Sequence, residues 1–227
     1  MGKDNQPKIR QAKKFQRKQG SRLTADRVLI VTEGKETEPN YFLEIRRDLR
    51  LQTTSVSILK GKYGTCPKQV VEYAYDLFLK GDSDTDIQPK AFEKIYAVID
   101  RDDHAHYHTA LQLAENINNK KLLNDKKVPI EFSVIPSIPN FEIWLLLHFE
   151  NRQTMMPKED VYAALSHHID NYEKGNQNHY SITKRWLDIA IERAESLAKE
   201  NTFWTGCDLY TDIHLIVKLL LSFKNKN

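Results

Sequence analysis

Cysteine is nearly missing from these 227 residues. Cys66 and Cys207 are the only two, far apart and without CxxC spacing, which leaves no disulfide framework and no zinc knuckle. No apolar stretch approaches the roughly 18–20 residues that span a bilayer; the longest candidate, residues 143–147, stops at His148. The basic N-terminus lacks the apolar core of a signal peptide, and no internal repeat is visible. These absences lead us to expect a cytoplasmic protein with reduced thiols and no membrane partner. The 40% hydrophobic content is ample for a core, as one large domain or one domain with an extension.

Charge is present but unevenly spread. Residues 1–22 hold eight lysines and arginines and one aspartate, a local charge of +7, so the rest of the +3 chain stands at −4. Such an arm, with Lys13, Lys14, Arg17 and Lys18 at its centre, suits contact with phosphates. A solvated tail that only aids solubility is the competing account, since the segment has too little apolar content to fold alone.

Beyond the arm, strand-like and helix-like segments alternate. Residues 28–32 read as a strand, and Pro39 stands near the first turn of a helix running to about residue 51. Residues 55–59 form a second strand, followed by a helix from Pro67 that Thr65 could cap. Residues 94–99 are a third strand, 108–123 a helix and 129–135 a fourth strand. Asn140 is placed to cap an apolar helix at 141–148. From residue 151 strand signals vanish, and 157–172, 183–200 and 211–223 carry helical spacing. This pattern predicts an α/β fold with a mostly parallel four-stranded sheet. We divide it into a basic arm (1–24), the α/β domain (25–150) and a helical C-terminal subdomain (151–227). Helices that wrap back as one layer of a single domain are the alternative.

The first and third strands both stop on carboxylates: Glu33-Gly34 after one, Asp100-Arg101-Asp102-Asp103 after the other. In an open parallel sheet ligands gather at the carboxyl ends of strands. If the two strands are neighbours, Glu33, Asp100 and Asp102 meet, with Asp103 adding a fourth negative group. Crowded carboxylates repel unless a cation neutralises them, and an all-oxygen set favours Mg²⁺ or Mn²⁺. Metal-assisted phosphodiester cleavage needs such ligands and a base for water. Glu33 serves as ligand or base, and Glu142, early in its helix, reaches the same rim. Taken singly, each acid also has a plain reading as a solvated loop or helix-start charge. His104, beside Asp103, is the best placed histidine to touch a scissile phosphate, whereas His106 and His108 read as loop residues. Lys60 and Lys62, at the end of the second strand, are candidates for holding a nucleic-acid backbone.

Three runs in order, residues 31–42 (VTEGKETEPNYF), 99–104 (IDRDDH) and 140–149 (NFEIWLLLHF), resemble the RloB-like family, a divergent branch of the Toprim superfamily. The resemblance implies a Toprim-like, Rossmann-like domain whose glutamate maps onto Glu33 and whose DxD maps onto Asp100 and Asp102. It further implies a nuclease effector of a prokaryotic antiphage, abortive-infection system, acting on DNA or RNA beside an RloA-like ABC/SMC-type ATPase. Two other readings are a non-catalytic module that binds nucleic acid or a nucleotide and docks on that ATPase, and an aspartyl-nucleophile phosphatase. The last fits poorly, because it needs DxD after the first strand.

Overall fold

The computed structural model describes residues 26–53, 55–61, 66–102, 105–205 and 207–224. Its strands are β1 (Val28–Thr32), β2 (Val56–Lys60), β3 (Lys94–Asp100), β4 (Glu131–Ile138) and β5 (Tyr210–Thr211). They form one sheet in the order β2-β1-β3-β4-β5. The first four are mutually parallel and β5 is antiparallel to β4. The fold is therefore α/β with a mostly parallel sheet flanked by helices, but of five strands rather than the expected four. The correction comes from residues 210–211, of which Thr211 was assigned above to a helix and Tyr210 to no element. They pair with Ser137 and Ile138, and the Ser137 and Thr211 hydroxyls meet at 3.0 Å.

Eight helices carry the rest of the described chain: α1 (Thr37–Asp48), α2 (Pro67–Lys80), α3 (Tyr107–Asn119), α4 (Glu142–Leu146), α5 (Lys158–His168), α6 (His179–Thr183), α7 (Leu187–Glu200) and α8 (Ile213–Lys224). Two sequence expectations are adjusted here. The α4 helix has five residues, and Asn140 does not cap it; its amide instead donates to the Tyr162 hydroxyl at 2.9 Å. Thr65 lies outside the described residues.

Continuous apolar runs in β1 and β3 follow from coverage on both faces. Every residue of β1 is buried. Val28 and Ile30 enter one core and Leu29 and Val31 the other, as the two-residue period of a strand requires. Beneath one face α2 and α3 supply Val71, Ala74, Phe78, Ala110 and Ile117. On the opposite face Tyr41, Trp144, Leu165, Ala194 and Ile216 belong to one core, so residues from both sides of position 150 share it. Tyr41 sits edge-on to Phe42, Phe141, Trp144 and Tyr180 with ring centres 5.6–6.4 Å apart, locking α1 to α4 and α6.

This layering positions the site. The helix after β1 packs on one face and the helix after β3 on the other, so the chain diverges between two adjacent strands. Such a switch point opens a crevice at the strands' carboxyl ends. Thr32 pairs with Val98, which brings Glu33 level with the last residues of β3. Among the described residues no helix is long and apolar enough to cross a membrane.

Candidate active site

Glu33 leaves β1 with its amide donating to the Val98 carbonyl at 3.0 Å, continuing the β1–β3 ladder by one step. Its carboxylate turns back, and Oε2 accepts the Asp100 amide at 3.1 Å. Two acids 67 residues apart are thus held against each other. Burial lifts Glu33 to about 8; the Asp100 amide opposes that rise, and negative Glu38 and Asp102 reinforce it. Asp100 is pushed well above the usual carboxylate range, first by burial and then by Glu38, Glu142, Glu33 and Asp102.

Asp102 begins the turn after β3. Its backbone adopts φ +29°, where a residue with a Cβ is strained. Its amide donates to the Pro139 carbonyl at 2.9 Å and its carbonyl accepts Arg101 Nη1 at 2.8 Å. Glu142, in the first turn of α4 and only 1% exposed, is raised to about 7 by burial, with Lys174 pulling it down and Glu38 pushing it up.

Sequence reading missed two members. Glu38, in the first turn of α1, is buried, and its Oε1 accepts the Gly34 amide at 3.1 Å. Burial raises it too, while Lys174 and the Gly34 amide lower it. Its signal lay in the run EGKETEP, where a second acid closes the loop that Glu33 opens, near a helix start that favours negative charge. Lys174 comes from the α5–α6 loop. Its Nζ stands 3.9 Å from Glu142 Oε1 and donates to the Tyr162 hydroxyl at 3.2 Å. Burial lowers its basicity, but Glu142, Tyr162 and Asp100 outweigh that and hold the ammonium above its ordinary value. A lysine in a polar loop gives no sequence signal of where it will point. The backbone places it: Gly175 donates its amide to Thr37 Oγ1 at 3.0 Å, and Asn40 reaches the Gly175 carbonyl at 3.4 Å.

The close fit of Glu38 explains Gly34. A Cβ there would lie 1.8 Å from Glu38 Oε2 and 2.4 Å from its Cδ. Because the Glu38 side chain is buried, Gly34→Ala must displace its carboxylate. We expect melting lowered by only a few degrees, within the ordinary range for single substitutions; thermal melting of the variant checks this, and an unshifted midpoint would mean that Glu38 yields without cost.

The remaining expectations place as follows. Lys60, at the end of β2, is half-exposed and pairs with Glu36 at 3.2 Å. His106 and His108 are exposed. Asp103, His104, Lys62, Lys13, Lys14, Arg17 and Lys18 lie outside the described residues.

Whether the residues suit a divalent ion is tested by their chemistry. Among the described residues, buried Asp100 Oδ1, Asp102 Oδ1 and both Glu142 oxygens accept no hydrogen bond from another residue. Buried anionic oxygens without donors are costly, and a hard cation with oxygen ligands relieves that cost. Among the described residues no three acidic, histidine or cysteine side chains already stand in ligating geometry. The donor set therefore fits Mg²⁺ or Mn²⁺ in kind, with ligand positions still apart.

The family model described as RloB-like protein matches residues 28–220. No curated protein matches the chain, and no solved structure does.

Proposed function

Since this chain belongs to the RloB-like protein family, we propose that its carboxylate cluster is the active site of a Mg²⁺- or Mn²⁺-dependent nuclease that hydrolyses phosphodiesters in DNA or RNA. The observation that carries the reading is the cluster itself: Glu33, Glu38, Asp100, Asp102 and Glu142 converge at the β1–β3 switch point, with four of their oxygens accepting no hydrogen bond from another described residue. A fold has no need of that repulsion for stability; a site for a cation and a phosphate does.

Glu33, Glu38, Asp100 and Asp102 would hold the metal, with Glu142 and Asp103 at its edge. When bound, such an ion would supply charge neutralisation for the phosphoryl oxygens. Should Glu33 serve as base rather than ligand, it would take a proton from water in its ionised form, which a bound cation favours. Lys174, held by Tyr162, turns an ammonium toward the incoming phosphate, and His104 is a further candidate for contact with it. Lys60, Lys62 and the basic arm (Lys13, Lys14, Arg17, Lys18) would follow the backbone beyond the cut.

We extend the proposal to the setting. The sheet is a divergent Toprim domain, and the chain is the cytoplasmic effector of a prokaryotic antiphage, abortive-infection system working beside an RloA-like ABC/SMC-type ATPase. A second reading, a non-catalytic nucleic-acid- or nucleotide-binding module that docks on the ATPase, draws on Lys174, a cation already facing the acids. One experiment separates them. Plasmid, single-stranded DNA and total RNA are incubated with the chain in Mn²⁺, alone and with the ATPase. Strand breaks abolished by chelation support the nuclease; binding without breaks under every condition selects the module.

A further inference from the structure

Beside the carboxylates, a recess of about 330 Å³ opens between the turn after β3 and the start of α5. Among the described residues, Pro139, Met155 and Pro157 give it apolar lining, and Arg101 and Lys158 balance Asp102 and Glu159 in formal charge. A recess with balanced charge and apolar patches is a poorer seat for an extra phosphate than for the uncharged part of a nucleotide. Lys158 marks the boundary, its Nζ 3.7 Å from Asp102 Oδ1, where a phosphate of the same nucleotide would reach the carboxylate cluster. The wall is already formed: Arg101 donates its amide to the Ser137 carbonyl at 2.9 Å, and its guanidinium lies over the Tyr107 ring at 5.4 Å.

We propose that this recess holds the base and sugar of one unstacked nucleotide next to the scissile phosphate, so that the site acts on single-stranded nucleic acid. The inference rests on the nuclease reading above and names its substrate class. Size carries it: small-molecule sites run from about 300 to 1,000 Å³, and this recess stands at the low end, enough for one nucleoside and too small for a stacked pair. A base still paired in a duplex cannot enter unless it is first flipped out of the stack, which costs unpairing energy. Methionine sulfur is a favourable partner for an aromatic face.

The test uses the full chain in Mn²⁺ with one oligonucleotide presented as a single strand, as a perfect duplex, and as a single strand with one abasic residue beside the cut. We expect the strand to be cleaved at least tenfold faster than the duplex, and the abasic residue to lower kcat/KM about tenfold. Met155→Ala, at a side chain 47% exposed, should cause a similar loss on the intact strand and little further loss on the abasic one. Equal rates on strand and duplex, or losses from Met155→Ala and the abasic residue that multiply independently, would overturn the assignment. Should no oligonucleotide be cleaved, the nuclease reading fails separately, and binding decides the recess. A strand carrying 2-aminopurine is then titrated with Glu33→Gln protein. Fluorescence quenching that Met155→Ala and Lys158→Ala each weaken about tenfold supports the recess, and unchanged titrations remove it.

Discussion

Glu33→Gln and Asp100→Asn should each stabilise the metal-free protein while removing its activity. Both carboxylates are buried, and both are held above the ordinary carboxylate range chiefly by burial. At pH 8 the fold must either keep a proton on each or bear an anion that desolvation and like charges oppose. The amide isosteres keep shape and volume and remove that choice. The glutamine oxygen can still accept the Asp100 amide, which Glu33 Oε2 now accepts at 3.1 Å. Replacing a costly buried charge by a neutral group of the same shape is worth about 1–4 kcal/mol, and at roughly 2–4 °C per kcal/mol for a chain of this size melting should rise by several degrees. Activity should move the other way. Loss of a positioned general base costs about 10²–10⁴-fold, so Glu33→Gln should cleave about a thousandfold more slowly, and Asp100→Asn should lose at least as much with its anionic ligand gone. Opposite signs in the two measurements mark a functional cluster, whereas acids that merely hold the fold together would give losses in both. Retained cleavage by a well-folded Glu33→Gln protein would remove the glutamate from the mechanism.

How much of this was written in the sequence depends on how local the signal was. β1 and β3 are buried on both faces, and coverage on both faces produces the uninterrupted apolar runs by which they were recognised. Their acidic ends were legible for the same reason, since a carboxylate directly after a buried strand stands out. Convergence of Glu33 and Asp100 needed only adjacency of the two strands, which the sheet provides. β5 was hidden because two residues have no periodicity; Tyr210 and Thr211 are a strand only through Ser137 and Ile138. Pro136 hid the end of β4, which runs on to Ile138. Proline is tolerated there because only the two residues of β5 cover that side, so most of the edge asks for no ladder donor. Lys174 was unreadable, because Thr37 and Asn40 of a distant helix decide where its loop lies.

Metal-free stability should fall between about pH 5 and pH 8, and Lys174→Met should steepen the fall. Glu33 at about 8 and Glu142 at about 7 stand above the 4.5 of an unconstrained glutamate. Below pH 4.5 folded and unfolded chains both hold these protons and no penalty arises. As pH rises, the unfolded chain releases them first, so stability is lost progressively until the folded values are passed, at about 1.4 kcal/mol per pH unit for each proton of difference. His148 acts in the opposite sense on the acid side: burial lowers it from 6.5 to about 4, so its contribution is lost as pH falls through that window. On these three groups the opposing slopes balance near pH 4, so melting should be highest at about pH 4–5 and decline toward pH 8. Lys174 draws Glu33, Glu38 and Glu142 downward; without its ammonium their values climb further and the loss at pH 8 deepens. Mn²⁺ binds only the deprotonated acids, so it should release protons on binding, tighten as pH rises and restore the alkaline stability of both proteins. Melting curves across pH in chelator and in Mn²⁺, for the native chain and Lys174→Met, measure all three effects. A flat profile in chelator, or profiles that coincide for the two proteins, would mean that the carboxylates carry their charge without help from Lys174 and await no cation.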